Sequence, residues 1–147
     1  MSERPLRPVR ADFTQFVPIG ARWADNDIYG HVNNAVYYAY FDTAVNSLLM
    51  DAGALDLDTS EIVGLVVANA CDYFASIRFP DAIEVGVRVE HIGRSSVRYL
   101  LGVFRKGDNS AAARGSFTHV YVERATQTPV AIPAITRAFL ESLRTGA

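Results

Sequence analysis

The chain has 147 residues, half of them hydrophobic and 20% charged, and this composition predicts a folded globular domain rather than a disordered segment. Its 14 basic and 16 acidic side chains give a formal net charge of -2. That balance disfavours a nucleic-acid partner, which would need a basic surface. We predict one domain over residues 1–147, with residues 1–10 as a loose N-terminal arm.

Membrane and export signals are not evident in the sequence. The apolar stretch over residues 35–50 is interrupted by polar side chains, so we expect it not to cross a bilayer. Residues 2–5 lack the apolar core of a signal peptide. Cys71 is the single cysteine, so no internal disulfide can form. We therefore expect a cytoplasmic protein without a membrane partner.

The first predicted elements are a strand and a helix that flank a polar loop. Apolar side chains alternate over residues 16–23, which indicates a strand. After the loop, Asn33 or Asn34 is a natural N-cap for a helix that ends near Gly53. Apolar positions cover most of this helix, so other parts of the chain must wrap around it.

The second half of the chain is typical of strands joined by turns. Residues 62–67 form a continuous apolar run that predicts a strand covered on both faces. Alternation and turn residues then predict three more strands and a short terminal helix, over residues 83–90, 97–104, 111–123 and 134–143. The expected fold class is α+β, with one antiparallel sheet curled around one helix.

The polar loop carries most of the candidate site residues. Within ten positions it contains Asp25, Asp27, His31, Asn33 and Asn34. Polar side chains are costly near a core unless they are paired or used, and the start of a helix favours negative charge. The loop therefore predicts a site that holds an anion or stabilises a developing negative charge.

The loop resembles the signature D-x-D-x-x-G-H-V-N-N-x-x-Y of hotdog-fold acyl-CoA thioesterases of the hydroxybenzoyl-CoA thioesterase type. All fixed positions of the signature are present, at Asp25, Asp27, Gly30, His31, Val32, Asn33, Asn34 and Tyr37. The resemblance implies a hotdog fold, with a five- or six-stranded antiparallel sheet around one long central helix. It also implies homodimers whose sheets pair edge to edge, or homotetramers. The implied reaction is hydrolysis of a thioester of coenzyme A or acyl carrier protein, without a metal or other cofactor.

Two residues of the loop are the catalytic candidates. The resemblance implies that Asp27 is the catalytic carboxylate, acting on water as a general base or on the thioester as a nucleophile. The backbone N–H groups of Asn34 and Ala35 are expected to form the oxyanion hole. The alternative for Asp27 is a turn cap. His31 either polarises the thioester, orients Asp27 or only makes structural hydrogen bonds.

The expected substrate-binding residues are Gly30, Asn33, Asn34, Tyr37, Arg94 and Ser95. Arg94 and Ser95 are candidates for the phosphates of coenzyme A, although Arg and Ser in a hairpin are also ordinary surface residues. Asp25 is expected to hold the loop or to pair with Arg22, and Cys71 to be a buried apolar side chain. The three histidines are too scattered in sequence to predict a metal site.

Two other functions remain open at this stage. A non-catalytic acyl-CoA sensor or carrier with the same fold would usually lack the catalytic carboxylate, whereas Asp27 is present. A hotdog dehydratase or hydratase needs a His–acid pair around the central helix, and an Asp before Gly-His fits that requirement less well. One fold hosts several functions, so the resemblance alone does not decide among them.

Overall fold

In the computed structural model, which describes residues 6–144, five antiparallel strands form one sheet in the order β1-β3-β4-β5-β2. The strands are β1 (Gln15–Ile19), β2 (Ile62–Tyr73), β3 (Ile83–Ile92), β4 (Ser96–Arg105) and β5 (Ala113–Glu123). The helices are α1 (Val36–Asp51), which packs on the sheet, and the short α2 (Ala134–Ser142). The α+β class and the hotdog arrangement of one long helix and an antiparallel sheet are therefore confirmed.

The main core lies between α1 and the inner face of the sheet. Side chains alternate between the two faces of a strand, so every second residue of β3, β4 and β5 turns toward α1. These positions are filled mostly by valine, leucine and aromatic residues. The residues of α1 that meet them are Tyr37, Tyr40, Phe41, Ala44, Val45 and Leu49, all buried. The prediction that this helix is wrapped by other parts of the chain is confirmed.

Both ends of α1 lie within two residues of the predicted ones, since the N-cap is Ala35 rather than Asn33 or Asn34 and the C-cap is Ala52, next to Gly53. The side-chain Oδ1 of Asn33 accepts a 2.9 Å hydrogen bond from the backbone N–H of Ala35, just before the first helical residue. At the other end, Gly53 has a φ of +72° and its N–H donates to the carbonyl of Met50. Glycine adopts this left-handed backbone without the penalty that a Cβ would bring.

The first strand is shorter than predicted. It ends at Ile19, and residues 23–25 form a 3-10 turn that leaves Trp23 78% exposed. The alternating pattern therefore wrongly predicted that the strand continues through Trp23. The turn forms because Oδ2 of Asp25 accepts a hydrogen bond from the backbone N–H of Arg22 at 2.8 Å.

The prediction that residues 62–67 are covered on both faces is also wrong for a single chain. β2 pairs with β5 along one side and lies at the edge of the sheet. Its residues 65–70 are all exposed, and Val67 is 59% exposed. An apolar run predicts that its side chains are buried, but it does not identify the part of the same chain or of another chain that buries them.

The N-terminal arm is only partly described, since residues 1–5 of the predicted loose segment lie outside the described residues. The part from Arg7 to Arg10 is not loose. Arg7 Nε donates to the carbonyl of Ala111, and the backbone N–H of Arg10 donates to the carbonyl of Asn109. Over residues 6–144, no helix combines the length and the apolarity needed to span a membrane.

Candidate active site

A cleft of about 370 Å³ lies where the loop before α1 meets the end of β2. Its lining residues are Asp27, His31, Val32, Asn34, Tyr37, Tyr73, Phe74, Ala75 and Ser76. The fold thus brings four of the predicted site residues to one cleft. Gly30 and Asn33 belong to the same loop but are not among the residues that line the cleft.

Asp25 is the buried anchor of the loop. Its carboxylate accepts hydrogen bonds from the backbone N–H of Arg22, from the Arg22 guanidinium at 2.9 Å and from the Tyr40 hydroxyl at 2.8 Å. Its own carbonyl accepts from the N–H of Asn33 at 2.9 Å. Burial tends to raise the pKa of the Asp25 carboxyl, but these hydrogen bonds outweigh it and the pKa lies below its usual value. Asp25 therefore holds the loop as an ionised carboxylate.

The carboxylate of Asp27 is oriented at one oxygen and available at the other. Oδ1 accepts from the backbone N–H of Tyr29 at 2.9 Å and, over a longer 3.4 Å, from that of His31. The N–H of Asp27 itself donates to the carbonyl of His31 at 2.8 Å. Among residues 6–144, no group donates to Oδ2. Asp27 thus caps a turn and still presents one free oxygen at the cleft.

The turn between Asp27 and His31 depends on Gly30. Its N–H donates to the carbonyl of Asp27 at 3.1 Å, and its φ is +81°. Glycine adopts this left-handed backbone without the penalty of a Cβ. The imidazole of His31 is exposed at the cleft and makes no hydrogen bond to the described part of the chain. His31 therefore orients Asp27 through its main chain, while its ring faces the cleft.

The expected oxyanion hole needs a correction. The N–H of Ala35 is already engaged by the side chain of Asn33, so it is not open to a substrate oxygen. The N–H of Asn34 donates to no acceptor within the described residues, and Asn34 lines the cleft. Its carbonyl accepts a 2.7 Å hydrogen bond from the Tyr73 hydroxyl, which fixes this peptide against the end of β2. Asn34 is the one member of the expected pair that offers a free donor.

Tyr37 and Tyr73 form the aromatic wall of the cleft. Their ring centroids are 4.9 Å apart in an edge-to-face arrangement, and Tyr37 is only 3% exposed. Burial, with a contribution from the nearby Cys71, raises the pKa of Tyr37 to about 12 against an opposing backbone hydrogen bond at Ile77. Tyr37 therefore stays neutral at physiological pH and acts as a wall rather than as a base.

Sequence reasoning missed the segment that follows β2. The carbonyl of Ile77 accepts from the N–H of Val32 at 2.8 Å, and the N–H of Phe79 donates to Oδ1 of Asn26 at 3.0 Å. These bonds hold the polar loop, while Ala75 and Ser76 line the cleft. The local sequence does not predict that this segment holds the loop, because the contacts join positions about fifty residues apart.

The thiol of Cys71 behaves as the sequence analysis interpreted it. Cys71 is half-buried in β2, and burial raises the pKa of its thiol to about 11. A cysteine nucleophile needs a thiolate at neutral pH, which calls for a lowered pKa. Cys71 is thus a packing residue. No group of three or more His, Cys, Asp or Glu side chains suited to a metal ion occurs between residues 6 and 144.

Arg94 and Ser95 lie far from the cleft within one chain. The carbonyl of Ser95 accepts from the N–H of Tyr121 near one end of β5, whereas Tyr73 at the cleft pairs with Ala113 at the other end. At about 3.3 Å per residue, the stretch of β5 between these two positions spans roughly 25 Å. The structure therefore does not bring the predicted phosphate contacts to Asp27 in the same protomer.

The chain is similar to known proteins in both sequence and structure. A sequence profile described as the thioesterase-like superfamily matches residues 21–140. The crystal structure of the PA5185 protein from Pseudomonas aeruginosa strain PAO1 is 52% identical, and the similarity covers 97% of this chain and 99% of that one with a TM-score of 0.94.

Two further relatives are more distant. A thioesterase from Thermus thermophilus, solved in complex with coenzyme A and Zn, is 32% identical over 92% of this chain and 98% of that one, with a TM-score of 0.74. The curated protein YsmA from Bacillus subtilis strain 168 is 21% identical over 95 residues, or 65% of this chain. That match covers 64% of YsmA, which is less than two thirds of its length.

Proposed function

The chain belongs to the thioesterase-like superfamily, and from this we propose that it hydrolyses an acyl- or aryl-CoA thioester to the free acid and coenzyme A. The observation that carries the proposal is the geometry of Asp27. One carboxylate oxygen is held by backbone N–H groups of the loop, the other has no donor among the described residues, and Asp27 lines the cleft. A fixed carboxylate with one available oxygen suits either a general base or a nucleophile.

The two routes differ in where the oxygen comes from. As a base, Asp27 takes a proton from water while the water oxygen bonds to the thioester carbon, and the C–S bond then breaks to release coenzyme A. As a nucleophile, Asp27 bonds to that carbon itself and forms a mixed anhydride, which water then hydrolyses. A single turnover in water labelled with heavy oxygen identifies the nucleophile route when water attacks the Asp27 carbon of the anhydride, because the label then enters Asp27 and the first molecule of product acid stays unlabelled. The base route always puts the label in the first product acid and never in Asp27.

The free N–H of Asn34 supports the second requirement of the reaction, a donor for the carbonyl oxygen as it becomes negative. The Tyr73 hydroxyl fixes the orientation of this peptide by binding the Asn34 carbonyl at 2.7 Å. We assign a supporting role to the His31 imidazole, which lies at the same cleft and can donate to the carbonyl oxygen. Gly30, Asn33 and Tyr37 then shape the loop and the wall around the bound thioester.

A second copy of the chain is the proposed partner of the exposed β2 edge. Unpaired backbone groups and apolar side chains along an edge strand favour pairing with another strand. Residues 65–70 offer such a surface. If two copies pair antiparallel about this stretch, the hairpin end of one sheet approaches the cleft end of the other. Arg94 and Ser95 of the second copy are then the proposed contacts for the phosphates of coenzyme A.

The proposal that coenzyme A carries the acyl group is supported by a relative of this chain. The Thermus thermophilus thioesterase that is 32% identical to this chain was solved with coenzyme A bound. The test is the release of free thiol from a panel of acyl-CoA, aryl-CoA and acyl carrier protein thioesters. Turnover of at least one CoA thioester is the expected result and names the acyl group. Tight binding of CoA thioesters without any turnover would instead identify a sensor or carrier.

A further inference from the structure

A cluster of buried polar atoms lies on the inner face of the sheet, away from the Asp27 cleft. Nδ1 of His119 is buried and finds no hydrogen-bond partner among the described residues, and the buried hydroxyls of Tyr99 and Tyr121 interact only with each other. His119 is 1% exposed, and its ring centroid is 5.5 Å from that of Tyr99. Buried polar atoms without partners are rare in native proteins, because leaving them unpaired costs the full desolvation penalty.

Two members of the cluster open onto a small cavity of about 40 Å³, which we call the His119 cavity. It is lined by Asn46, Leu49, Ala54, Leu55, Ile62, Val63, Gly64, His119 and Tyr121. A water-sized group needs roughly 10–15 Å³ of such volume together with polar partners. The cavity therefore has room for more than one such group and has a polar side for it. Its other walls are mostly apolar, which favours a neutral ligand over an ion.

Gly64 lets the imidazole of His119 pack directly against β2. A Cβ at this position would lie 2.9 Å from Nδ1 of His119 and 3.3 Å from its Cβ and Cγ, so one of the two side chains would have to move. Gly64 pairs with Tyr121 across the β2–β5 ladder, and both residues line the His119 cavity. Any larger residue at position 64 would therefore displace the imidazole that brings Nδ1 to the cavity.

We propose that the His119 cavity is a binding site for a neutral hydroxyl group, which donates a hydrogen bond to Nδ1 of His119 and accepts one from the Tyr121 hydroxyl. Such a group supplies the partner that Nδ1 lacks and an acceptor for the hydrogen of the Tyr121 hydroxyl. Either a water molecule or a hydroxyl on the acyl part of a substrate has this chemistry. A substrate hydroxyl reaches this cavity only on an acyl chain long enough to extend along the sheet, because the cavity and the Asp27 cleft lie near opposite ends of β5. The second source rests on the proposed thioesterase function, whereas the first does not.

The closing experiment compares crystal structures of the native protein, Gly64→Ala and Gly20→Ala. Gly20 has nothing within 4 Å of its ideal Cβ, so it controls for the exchange of glycine itself. We expect an ordered oxygen within hydrogen-bond distance of Nδ1 in the native protein and in Gly20→Ala, and its loss in Gly64→Ala. If Gly64→Ala does not fold, the crystal structure of His119→Phe is compared instead. Phenylalanine keeps a ring at this position but lacks the Nδ1 acceptor, so we expect the ordered oxygen to be lost. A dry cavity in the native protein would overturn the proposal.

A second arm identifies the source of the hydroxyl. A CoA thioester with a hydroxylated acyl chain and its unsubstituted counterpart are crystallised with the Asp27→Asn protein. Density that continues from the acyl chain to Nδ1 identifies a substrate hydroxyl, and we then expect the KM of the native enzyme to favour the hydroxylated ester by about tenfold. An oxygen that stays separate from either ester identifies water. Because the first arm uses the unliganded protein, its result stands even if no thioester is hydrolysed.

Discussion

The hydroxyl of Tyr40 donates a 2.8 Å hydrogen bond to Oδ2 of Asp25, and this buried contact joins the first turns of α1 to the loop that carries Asp27. Both side chains are at most 4% exposed. The bond acts together with the Arg22 donors to keep Asp25 ionised inside the protein. It ties α1 to the loop that carries Asp27.

The Tyr40–Asp25 bond gives the first prediction. Tyr40→Phe leaves one oxygen of a buried carboxylate with one donor fewer, so we expect the free energy of unfolding to fall by about 1.5–3 kcal/mol, the usual worth of a hydrogen bond to a charged group. Chemical denaturation measures the change. Tyr38→Phe is the matched control, because its hydroxyl has no hydrogen bond to the described residues. Equal free energies of unfolding for the two variants would show that the Tyr40–Asp25 hydrogen bond does not stabilise the protein.

Gly30 gives a second prediction. At a φ of +81° an alanine pays the left-handed penalty of about 1–2 kcal/mol, although the space around its Cβ is open. Gly30→Ala is therefore expected to lower stability and, because the neighbouring N–H groups hold Asp27, to lower kcat as well. Gly30→Asn should lose less, since asparagine tolerates this conformation. Gly20→Ala, whose backbone lies outside the left-handed region, should change neither quantity.

His119 makes stability depend on pH. Burial lowers the pKa of His119 to about 4, whereas the unfolded chain titrates near the usual 6.5. Between these values the unfolded state binds more protons, so stability is full above pH 6.5 and decreases as the pH falls toward 4. The difference corresponds to roughly 3 kcal/mol. The Tyr99 and Tyr121 hydroxyls around the imidazole stay neutral in this range, because burial raises the pKa of both.

Denaturation of the native protein and of His119→Phe at several pH values tests this account. The native protein should lose stability over the acidic window, and the variant should lose less of it. Parallel curves would locate the acid sensitivity elsewhere, for example at Asp25, whose lowered pKa acts only near and below pH 4. The slope between pH 6 and pH 4.5 is thus specific to the histidine.

The exposed edge of β2 gives a fourth prediction. We expect the native protein to sediment at twice the protomer mass of 16.1 kDa or at a multiple of it. Val67→Lys, in the middle of the exposed stretch, should shift the population toward the protomer and reduce turnover with it. Ile135→Lys is the control, because Ile135 is 60% exposed on α2, close to the 59% of Val67. A native protein that sediments only as a protomer would contradict a paired edge.

Local signals predicted the parts of the fold that local chemistry decides. Asn33 and Gly53 mark the ends of α1 because a side-chain acceptor and a positive φ act within a few residues. The strands β3, β4 and β5 followed the alternation of their side chains. The end of β1 was misjudged although its cause is local, since the bond from the Arg22 N–H to Asp25 that forms the turn spans only three residues. Alternation of apolar side chains carries no information on such a side-chain acceptor.

The loop motif predicted which of its residues lie close together, and their roles stay predictions. Asp27, His31, Asn34 and Tyr37 meet at one cleft because they belong to one continuous segment and to the helix it starts. Arg94 could not be placed, since its distance from the cleft depends on the order of strands in the sheet. The free N–H of Asn34 and the engaged N–H of Ala35 also differ only through the rotamer of Asn33. Such details follow from three-dimensional contacts rather than from spacing.

The most direct test of the account compares thiol release by Asp27→Asn and Asp51→Asn at saturating thioester. Asp51 is an exposed carboxylate at the end of α1, so its variant controls for the loss of one negative charge. We expect Asp27→Asn to lower kcat by about 10²–10⁴-fold while the affinity for the thioester and the stability remain close to native. We expect Asp51→Asn to keep the native kcat. An Asp27→Asn protein that keeps the native kcat would contradict the central role given to this carboxylate.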